Sequence, residues 1–288
     1  MTTNENPFPK VAVLGAGTMG AGIAQVCAQA GSAVVLQDVT EEFVQRGVAR
    51  IRDFLAKGVE KGKVAPEARD ATLARIATST DRATACRDVD LVIEAVPERL
   101  DLKNGIFREL SGVVRPECVL ASNTSSLSLA KVFDGVSAPG RCIGMHFFNP
   151  VPIMKLLELV RTGETSQSTI GAVTAYAKRL DKEPILVTDS PGFASSRLGV
   201  CLGLEAIRMV EAGVASAEDI DKAMVLGYGH PMGPLKLTDL VGLDVRLAIA
   251  DYLRKELDHP GFEAPQLMRR MVAEGKLGKK SGQGFYAW

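Results

Sequence analysis

Near its start the chain runs Val11-Ala12-Val13-Leu14 straight into Gly15-Ala16-Gly17-Thr18-Met19-Gly20. Four consecutive apolar residues read as a strand buried on both faces, and the glycines turn that strand into a helix. Gly15 permits the tight turn, Gly17 lets backbone approach a pyrophosphate, and Gly20 lets helix close on strand. Thr18 and Met19 open the helix, whose first N–H groups and partial positive charge suit phosphates. A second apolar run, 33–36, leads to Asp38, about 20 residues on, where this motif places its acid. A carboxylate there accepts from both hydroxyls of an adenosine ribose and repels a 2′-phosphate, which points to NAD rather than NADP. The bland alternative is a glycine-rich turn that binds no nucleotide. The strand before, the helix after and the acid beyond all argue against it.

A length of 288 residues suits one large domain or two medium ones, and 46% apolar content supplies a substantial core. Thirty-four basic and 34 acidic side chains cancel. No broad basic field attracts nucleic acid or an anionic membrane, so any anionic ligand must be held by local charges. No apolar run is of membrane-spanning length, and the polar segment 1–10 resembles neither a signal nor a transit peptide. Cys27, Cys86, Cys118, Cys142 and Cys201 form no C-x-x-C pair and fit buried thiols in a reducing cytoplasm. No His/Cys/Asp set has metal-ligand spacing, and no G-x-S-x-G elbow offers a serine nucleophile.

Apolar runs recur at 11–14, 33–36, 91–95, 119–121 and 142–146, separated by segments of helical period. Runs at 154–160 and 184–188 extend the series, with a helix at 168–180 between them. The pattern predicts an α/β, Rossmann-type, doubly wound and mostly parallel sheet. After Asp38 a long helix begins, capped by Thr40, with Phe43, Gly47, Ile51 and Leu55 as its buried stripe. Lys57, Lys61 and Lys63 close it, with Gly58 and Gly62 weakening the last turns. Such cations complement the helix dipole; a clamp for a phosphorylated ligand is the alternative.

Asp189-Ser190-Pro191-Gly192 breaks the alternation, which places a domain boundary between residues 189 and 190. Beyond it, helical patterns cover 193–211, 216–227, 241–256 and 265–274. Residues 1–189 thus form the dinucleotide-binding domain, and 190–288 an all-helical C-terminal domain for dimerisation and substrate. The first of these helices is apolar on more than one face, which suggests a homodimer core; burial within its own domain is the alternative.

Of the three histidines, His146 follows the apolar run 142–145 and so ends a strand, at the edge where open α/β sheets bind ligands. Glu158 lies in another strand-like run and needs a partner if buried. A neighbouring imidazole would be that partner, and the two would form a general base with its orienting carboxylate. A satisfied core histidine is the alternative. The polar cluster Ser122-Asn123-Thr124-Ser125-Ser126 follows the run 119–121 and offers hydroxyls and an amide, or else is an ordinary loop with capping serines.

Taken together, these segments resemble the 3-hydroxyacyl-CoA dehydrogenase family, in particular its bacterial 3-hydroxybutyryl-CoA dehydrogenases, over nearly the whole chain. The resemblance is carried by the glycine motif, Glu94-Ala95-Val96-Pro97-Glu98, Ser122-Asn123-Thr124-Ser125-Ser126 and His146-Phe147-Phe148-Asn149-Pro150-Val151-Pro152. It continues through Asp189-Ser190-Pro191-Gly192-Phe193, Pro231-Met232-Gly233-Pro234 and Gly278-Lys279-Lys280-Ser281-Gly282. It implies reversible oxidation of an (S)-3-hydroxyacyl-CoA to the 3-oxoacyl-CoA, with NAD as cofactor. By motif position His146 is the catalytic base and Glu158 its orienting partner. Ser125 meets the substrate hydroxyl and the nicotinamide. Ala95, Glu98, Lys103, Asn123, Asn149 and Lys280 fall where the family contacts the cofactor, and Asn149 also serves substrate. Lys61, with Lys57 on the same helical face, falls where the family meets coenzyme A, which favours the clamp reading of the lysines.

One position departs from the pattern. Many members carry Asn before the Arg that follows Asp-x-Pro-Gly-Phe, and here the pair is Ser196-Arg197. Serine is shorter and brings one donor, so the supporting role near the reacting oxygen weakens, passes to water or moves to Asn149. Two rival functions are a dehydrogenase of a free hydroxy acid and a non-catalytic dinucleotide-binding protein. The lysines argue against the first, and the His146/Glu158 pair against the second.

Overall fold

A computed structural model describes residues 5–288 of the chain, which divide into two compact units, one ending at Asp189 and the other spanning Ser190–Trp288. In the first unit the apolar runs become β1 (Lys10–Leu14), β2 (Ala33–Gln37), β4 (Leu91–Glu94), β5 (Val119–Ser122) and β6 (Cys142–Phe147). Every residue of β4, β5 and β6 is buried, as expected for strands covered on both faces. With β3 (Ile76–Ser79), β7 (Leu156–Arg161) and β8 (Glu183–Thr188) they form one sheet, ordered β3-β2-β1-β4-β5-β6-β7-β8. All neighbours are parallel except β6 and β7. The chain reverses its direction of travel across the sheet between β1 and β4, which opens a crevice at their carboxyl ends.

Helices α1 (Thr18–Gln29), α2 (Glu41–Glu60), α3 (Pro66–Ala74), α4 (Arg82–Cys86), α5 (Leu100–Ser111), α6 (Leu129–Val132) and α7 (Gln167–Arg179) flank the sheet. Ile23 and Cys27 of α1, Ile51 and Leu55 of α2, and Val173 and Tyr176 of α7 join one core with Val11, Leu36 and Ile93. The Thr40 hydroxyl caps α2 by accepting the Phe43 N–H at 3.2 Å. Its buried stripe is Val44, Gly47, Ile51 and Leu55. Phe43 is exposed, contrary to the four-residue reading. Each four-residue step advances the side chain about 40° around the axis, so Phe43 drifts off the stripe and Val44 falls on it.

The strand expected at 154–160 starts and ends later, at Leu156–Arg161, and β3 is a strand that the apolar runs do not announce. β3 is four residues long at the sheet's edge, and Ile76 is its only large apolar residue. Burial pushes the thiols of Cys27, Cys86, Cys118 and Cys142 up to about 12, so they stay protonated. Cys201 departs from the buried-thiol expectation and is exposed, being off the stripe of Val200, Gly203, Leu204 and Ile207 on its helix.

The second unit holds α8 (Ser195–Glu211), α9 (Ala217–Lys222), α10 (Pro234–Val241), α11 (Leu243–Leu257) and α12 (Gln266–Ala273) around Leu204, Ile207, Leu235, Leu253 and Met268. The helix read at 193–211 begins two residues later, since Phe193 sits at φ 49°. A single π-helical stretch, Ala223–Gly227, continues α9. α10 was not expected; Gly242, at φ 107°, separates it from α11 by one residue. Asp221 accepts the Leu235 and Lys236 N–H groups at 2.8 and 2.9 Å and so caps α10.

Candidate active site

The three glycines serve three different steric needs. Gly15 lies at φ +95°, and a Cβ there would meet the Ala95 carbonyl oxygen at 2.7 Å. A Cβ on Gly20 would meet the Gly15 carbonyl oxygen at 1.7 Å, so helix and turn touch only because it is absent. Gly17 has an ordinary φ of −67°, and a Cβ there meets nothing within 4 Å. The chain is therefore open at Gly17, the N-cap of α1, and leaves room there for a pyrophosphate beside the first helical N–H groups. The Asp38 carboxylate accepts the Ala16 N–H at 2.7 Å through Oδ2 and the Val39 N–H at 2.7 Å through Oδ1. Each oxygen keeps a second lone-pair site, enough for two ribose hydroxyls.

Gly15, Gly17 and Asp38 line a cavity of about 660 Å³ at the carboxyl ends of β1, β2 and β4. Thr18, Met19 and Ala95 belong to its wall, together with Phe43, Arg46, Arg50 and Arg82. The size, the glycine cradle and the ribose acid all fit a dinucleotide.

Beside it, β4 and β5 end in a knot of buried polar groups. Glu94, with no exposed surface, accepts Lys103 Nζ at 2.6 Å and the Val96 N–H at 2.7 Å on Oε1, and the Ser122 hydroxyl at 2.6 Å on Oε2. Lys103 Nζ also donates to the Val96 carbonyl at 3.2 Å and faces Glu98 Oε2 at 3.3 Å. With 1% of its side chain exposed, Lys103 reaches the polar cluster only from within the fold, against Glu94 and Glu98. Glu98 Oε1 accepts the Thr124 hydroxyl at 2.6 Å, the Ser125 N–H at 2.9 Å and the Ser126 N–H at 3.3 Å, and the Ser125 hydroxyl lies 3.3 Å away. Lost hydration pushes the Glu98 carboxyl up, but Lys103 and these hydrogen bonds outweigh it and hold the group below its ordinary range. The polar cluster is thus folded around one carboxylate. Asn123 accepts the Phe147 N–H at 2.9 Å through Oδ1, which leaves its amide NH₂ to serve a ligand.

His146 sits one residue before the end of β6, and the β6–β7 register sets it opposite Glu158. His146 Nδ1 lies 2.7 Å from Glu158 Oε2, and both side chains are buried. Phe148 packs against the imidazole, ring centroids 4.5 Å apart. The next residues, Asn149 and Pro150, line a second cavity of about 200 Å³ together with Thr18, Arg50 and Phe54. Lys182, buried just before β8, pins this loop by donating to the Val151 and Met154 carbonyls at 2.5 and 2.8 Å.

Lys57 lies in the last turn of α2, and Lys61 is its C-cap. Ser196 and Lys280 belong to the second unit, Ser196 in the first turn of α8 and Lys280 with Nζ 2.6 Å from Asp244. Sequence reasoning assigned no role to Glu94, Lys182 or the arginines. The four-residue spacing of Arg46 and Arg50 on α2 was the available signal for those two. Among the described residues no cluster of His, Cys, Asp and Glu could hold a metal ion, and no helix is long and apolar enough to cross a membrane.

Comparison with known proteins gives a consistent set of matches. The NAD binding domain of 3-hydroxyacyl-CoA dehydrogenase matches residues 10–190, and the C-terminal domain of the same family matches residues 192–288. A probable 3-hydroxybutyryl-CoA dehydrogenase of Deinococcus radiodurans is 46% identical over 97% of this chain and 100% of its own. The crystal structure of Mycobacterium tuberculosis FadB2 superposes with a TM-score of 0.94 at 46% identity, over 98% of this chain and 99% of the other. That of (S)-3-hydroxybutyryl-CoA dehydrogenase from Ralstonia eutropha gives 0.93 at 44%, with the same coverage.

Proposed function

This chain belongs to the 3-hydroxyacyl-CoA dehydrogenase family, and from that premise we propose that it interconverts (S)-3-hydroxybutyryl-CoA and acetoacetyl-CoA with His146 as the general acid/base. Its reaction is the NAD-dependent oxidation of a 3-hydroxyacyl-CoA to the 3-oxoacyl-CoA and the reverse. The observation that carries the assignment of roles is the 2.7 Å contact of His146 Nδ1 with Glu158. With Nδ1–H donating to the carboxylate, Nε2 is the nitrogen that accepts the proton. Bound NAD would supply the acceptor for the hydride leaving the carbinol carbon. His146 removes the hydroxyl proton as the C–O bond becomes a carbonyl, and Glu158 steadies the imidazolium that results. In reduction the same proton returns to the ketone oxygen.

The remaining roles are part of the same proposal. Ser125, held by Glu98, orients the substrate hydroxyl toward His146. Gly15, Gly17, Thr18, Met19 and Gly20 receive the pyrophosphate, and Asp38 the adenosine ribose. Asn123, Asn149 and Lys280 serve the nicotinamide half, with Ala95 in the cavity wall and Lys103 acting through Glu98. Lys57 and Lys61 meet the phosphates of coenzyme A, and Ser196 takes the supporting place near the reacting oxygen. We also infer a homodimer through the helical unit, supported by Leu198 of α8, which is 71% exposed. Free cysteines fit a cytoplasmic setting.

An assay of NADH oxidation with acetoacetyl-CoA, free acetoacetate and longer 3-oxoacyl-CoA substrates tests this reading. Turnover highest with acetoacetyl-CoA supports it. Equal use of the free acid overturns the coenzyme A assignment, and no turnover with any thioester overturns the activity.

A further inference from the structure

The cavity that contains Asp38 is lined by more positive charge than one carboxylate balances, because Arg46, Arg50 and Arg82 all face it. The fold brings them from two directions. Arg46 and Arg50 stand four residues apart on α2, one turn above the other on the same face. Arg82 opens α4 just past β3, and the β2–β3 register sets Ser79 beside Gln37, the residue before Asp38. The Asp38 N–H donates to the Ser79 carbonyl at 3.3 Å, so the ends of these two strands are tied together.

The arginines divide between the two ends of the cavity. Arg50 belongs to the pyrophosphate end, where its Nη1 donates to the Ala16 carbonyl at 3.4 Å. Arg82 follows the end of β3, and Arg46 stands one turn nearer the start of α2, which begins just after Asp38. Arg46 Cζ sits 4.7 Å over the Phe43 ring, and its carboxylate neighbour, Glu42, is 3.6 Å away and mostly solvated. Such exposed pairs leave the guanidinium available to a better acceptor. Arg82 is held by Glu109 at 2.5 Å. Guanidinium groups grip phosphate through paired N–H donors, and an arginine near the ribose acid is how folds of this kind accommodate a 2′-phosphate. This cavity therefore holds both a group that refuses a 2′-phosphate and groups able to receive one.

We propose that discrimination against NADP(H) rests on the single Asp38 carboxylate, with Arg46 and Arg82 forming a latent 2′-phosphate site beside it. The inference rests on the dinucleotide reading of this cavity.

Calorimetric titration of the full-length protein with 5′-AMP and with adenosine 2′,5′-bisphosphate tests it, alongside kcat/KM for NADH and NADPH. Wild type should bind 5′-AMP more tightly than the bisphosphate. Asp38→Asn, and Asp38→Ser as a second and smaller replacement, should each bind the bisphosphate about tenfold or more tighter than wild type. That gain should shrink with added salt, and the NADPH/NADH ratio of kcat/KM should rise with it. Adding Arg46→Gln and Arg82→Gln to either variant should abolish the gain. If both Asp38 variants keep 5′-AMP binding and gain nothing for the bisphosphate, the proposal is overturned. A gain that survives loss of both arginines overturns it equally. A wild-type protein that binds neither nucleotide removes the dinucleotide reading first, and this inference with it.

Discussion

His146 and Glu158 stand opposite each other across the one antiparallel strand pair of the sheet, with Nδ1 2.7 Å from Oε2. If this imidazole moves the proton, His146→Gln lowers kcat by about 10²–10⁴ while NADH binding, read by fluorescence titration, is unchanged. Glu158→Gln keeps an oxygen for Nδ1–H but loses the charge. It should lower kcat by less and leave KM for acetoacetyl-CoA near the wild-type value. Wild-type kcat in the histidine variant removes the pair from the mechanism.

Gly17 and Gly20 separate ligand contact from packing. A methyl at Gly20 meets backbone at 1.7 Å, so Gly20→Ala should destabilise the protein by about 3 kcal/mol and lower its Tm. A methyl at Gly17 meets open space. Gly17→Ala should therefore melt near the wild-type temperature yet lose dinucleotide affinity. Unaltered NADH affinity in Gly17→Ala contradicts the placement of the pyrophosphate.

Lys103 and Glu94 form an ion pair at 2.6 Å with 1% and 0% of their side chains exposed. Removing one partner strands the other, and Lys103→Met should cost about 3–5 kcal/mol of stability. The double variant Glu94→Gln with Lys103→Met should recover part of that loss, since Glu98, with 36% of its side chain exposed, is then the one carboxylate left without its cation. Urea unfolding of the two single variants and the double measures the coupling. Additive losses show that the two charges do not support each other.

Glu98 carries a carboxyl held below its ordinary range, against the effect of lost hydration, by Lys103 and by hydrogen bonds from Thr124 and Ser125. A group depressed in the folded state adds stability that is fully present above its unfolded value, about 4.3. That stability is lost as pH falls through the folded value. The Tm advantage of wild type over Glu98→Gln should therefore be largest near neutrality and shrink as pH drops below about 4. An advantage that stays constant into acid assigns no such linkage to Glu98.

Legibility in the sequence followed the range of the physics involved. The glycine turn and Asp38 could be read because strand, turn and acid follow one another locally. His146 and Glu158 could be read because each ends or interrupts an apolar run, although only the antiparallel register brings them together. β3 escaped because one large apolar residue at a sheet edge carries almost no pattern. α10 escaped because Pro231, Gly233 and Pro234 look like loop punctuation, whereas Pro234 is the first residue of the helix and Asp221, far back in the chain, caps it. Arg82 reaches the cofactor cavity through strand order alone, which no local window reports. The drift of Phe43 off the α2 stripe is the reverse case, in which an exact four-residue spacing overshoots the turn of about 3.6 residues.

The β6–β7 connection is a short loop, 148–155, rather than a helical crossover. Parallel neighbours need the longer route, whereas antiparallel ones do not. The His146–Glu158 pair is therefore contained in one contiguous stretch, 142–161, while the nucleotide crevice is gathered from turns scattered over roughly the first hundred residues. Transplanted into another sheet of this kind, that stretch would carry imidazole and carboxylate as a single hairpin cassette, already in register.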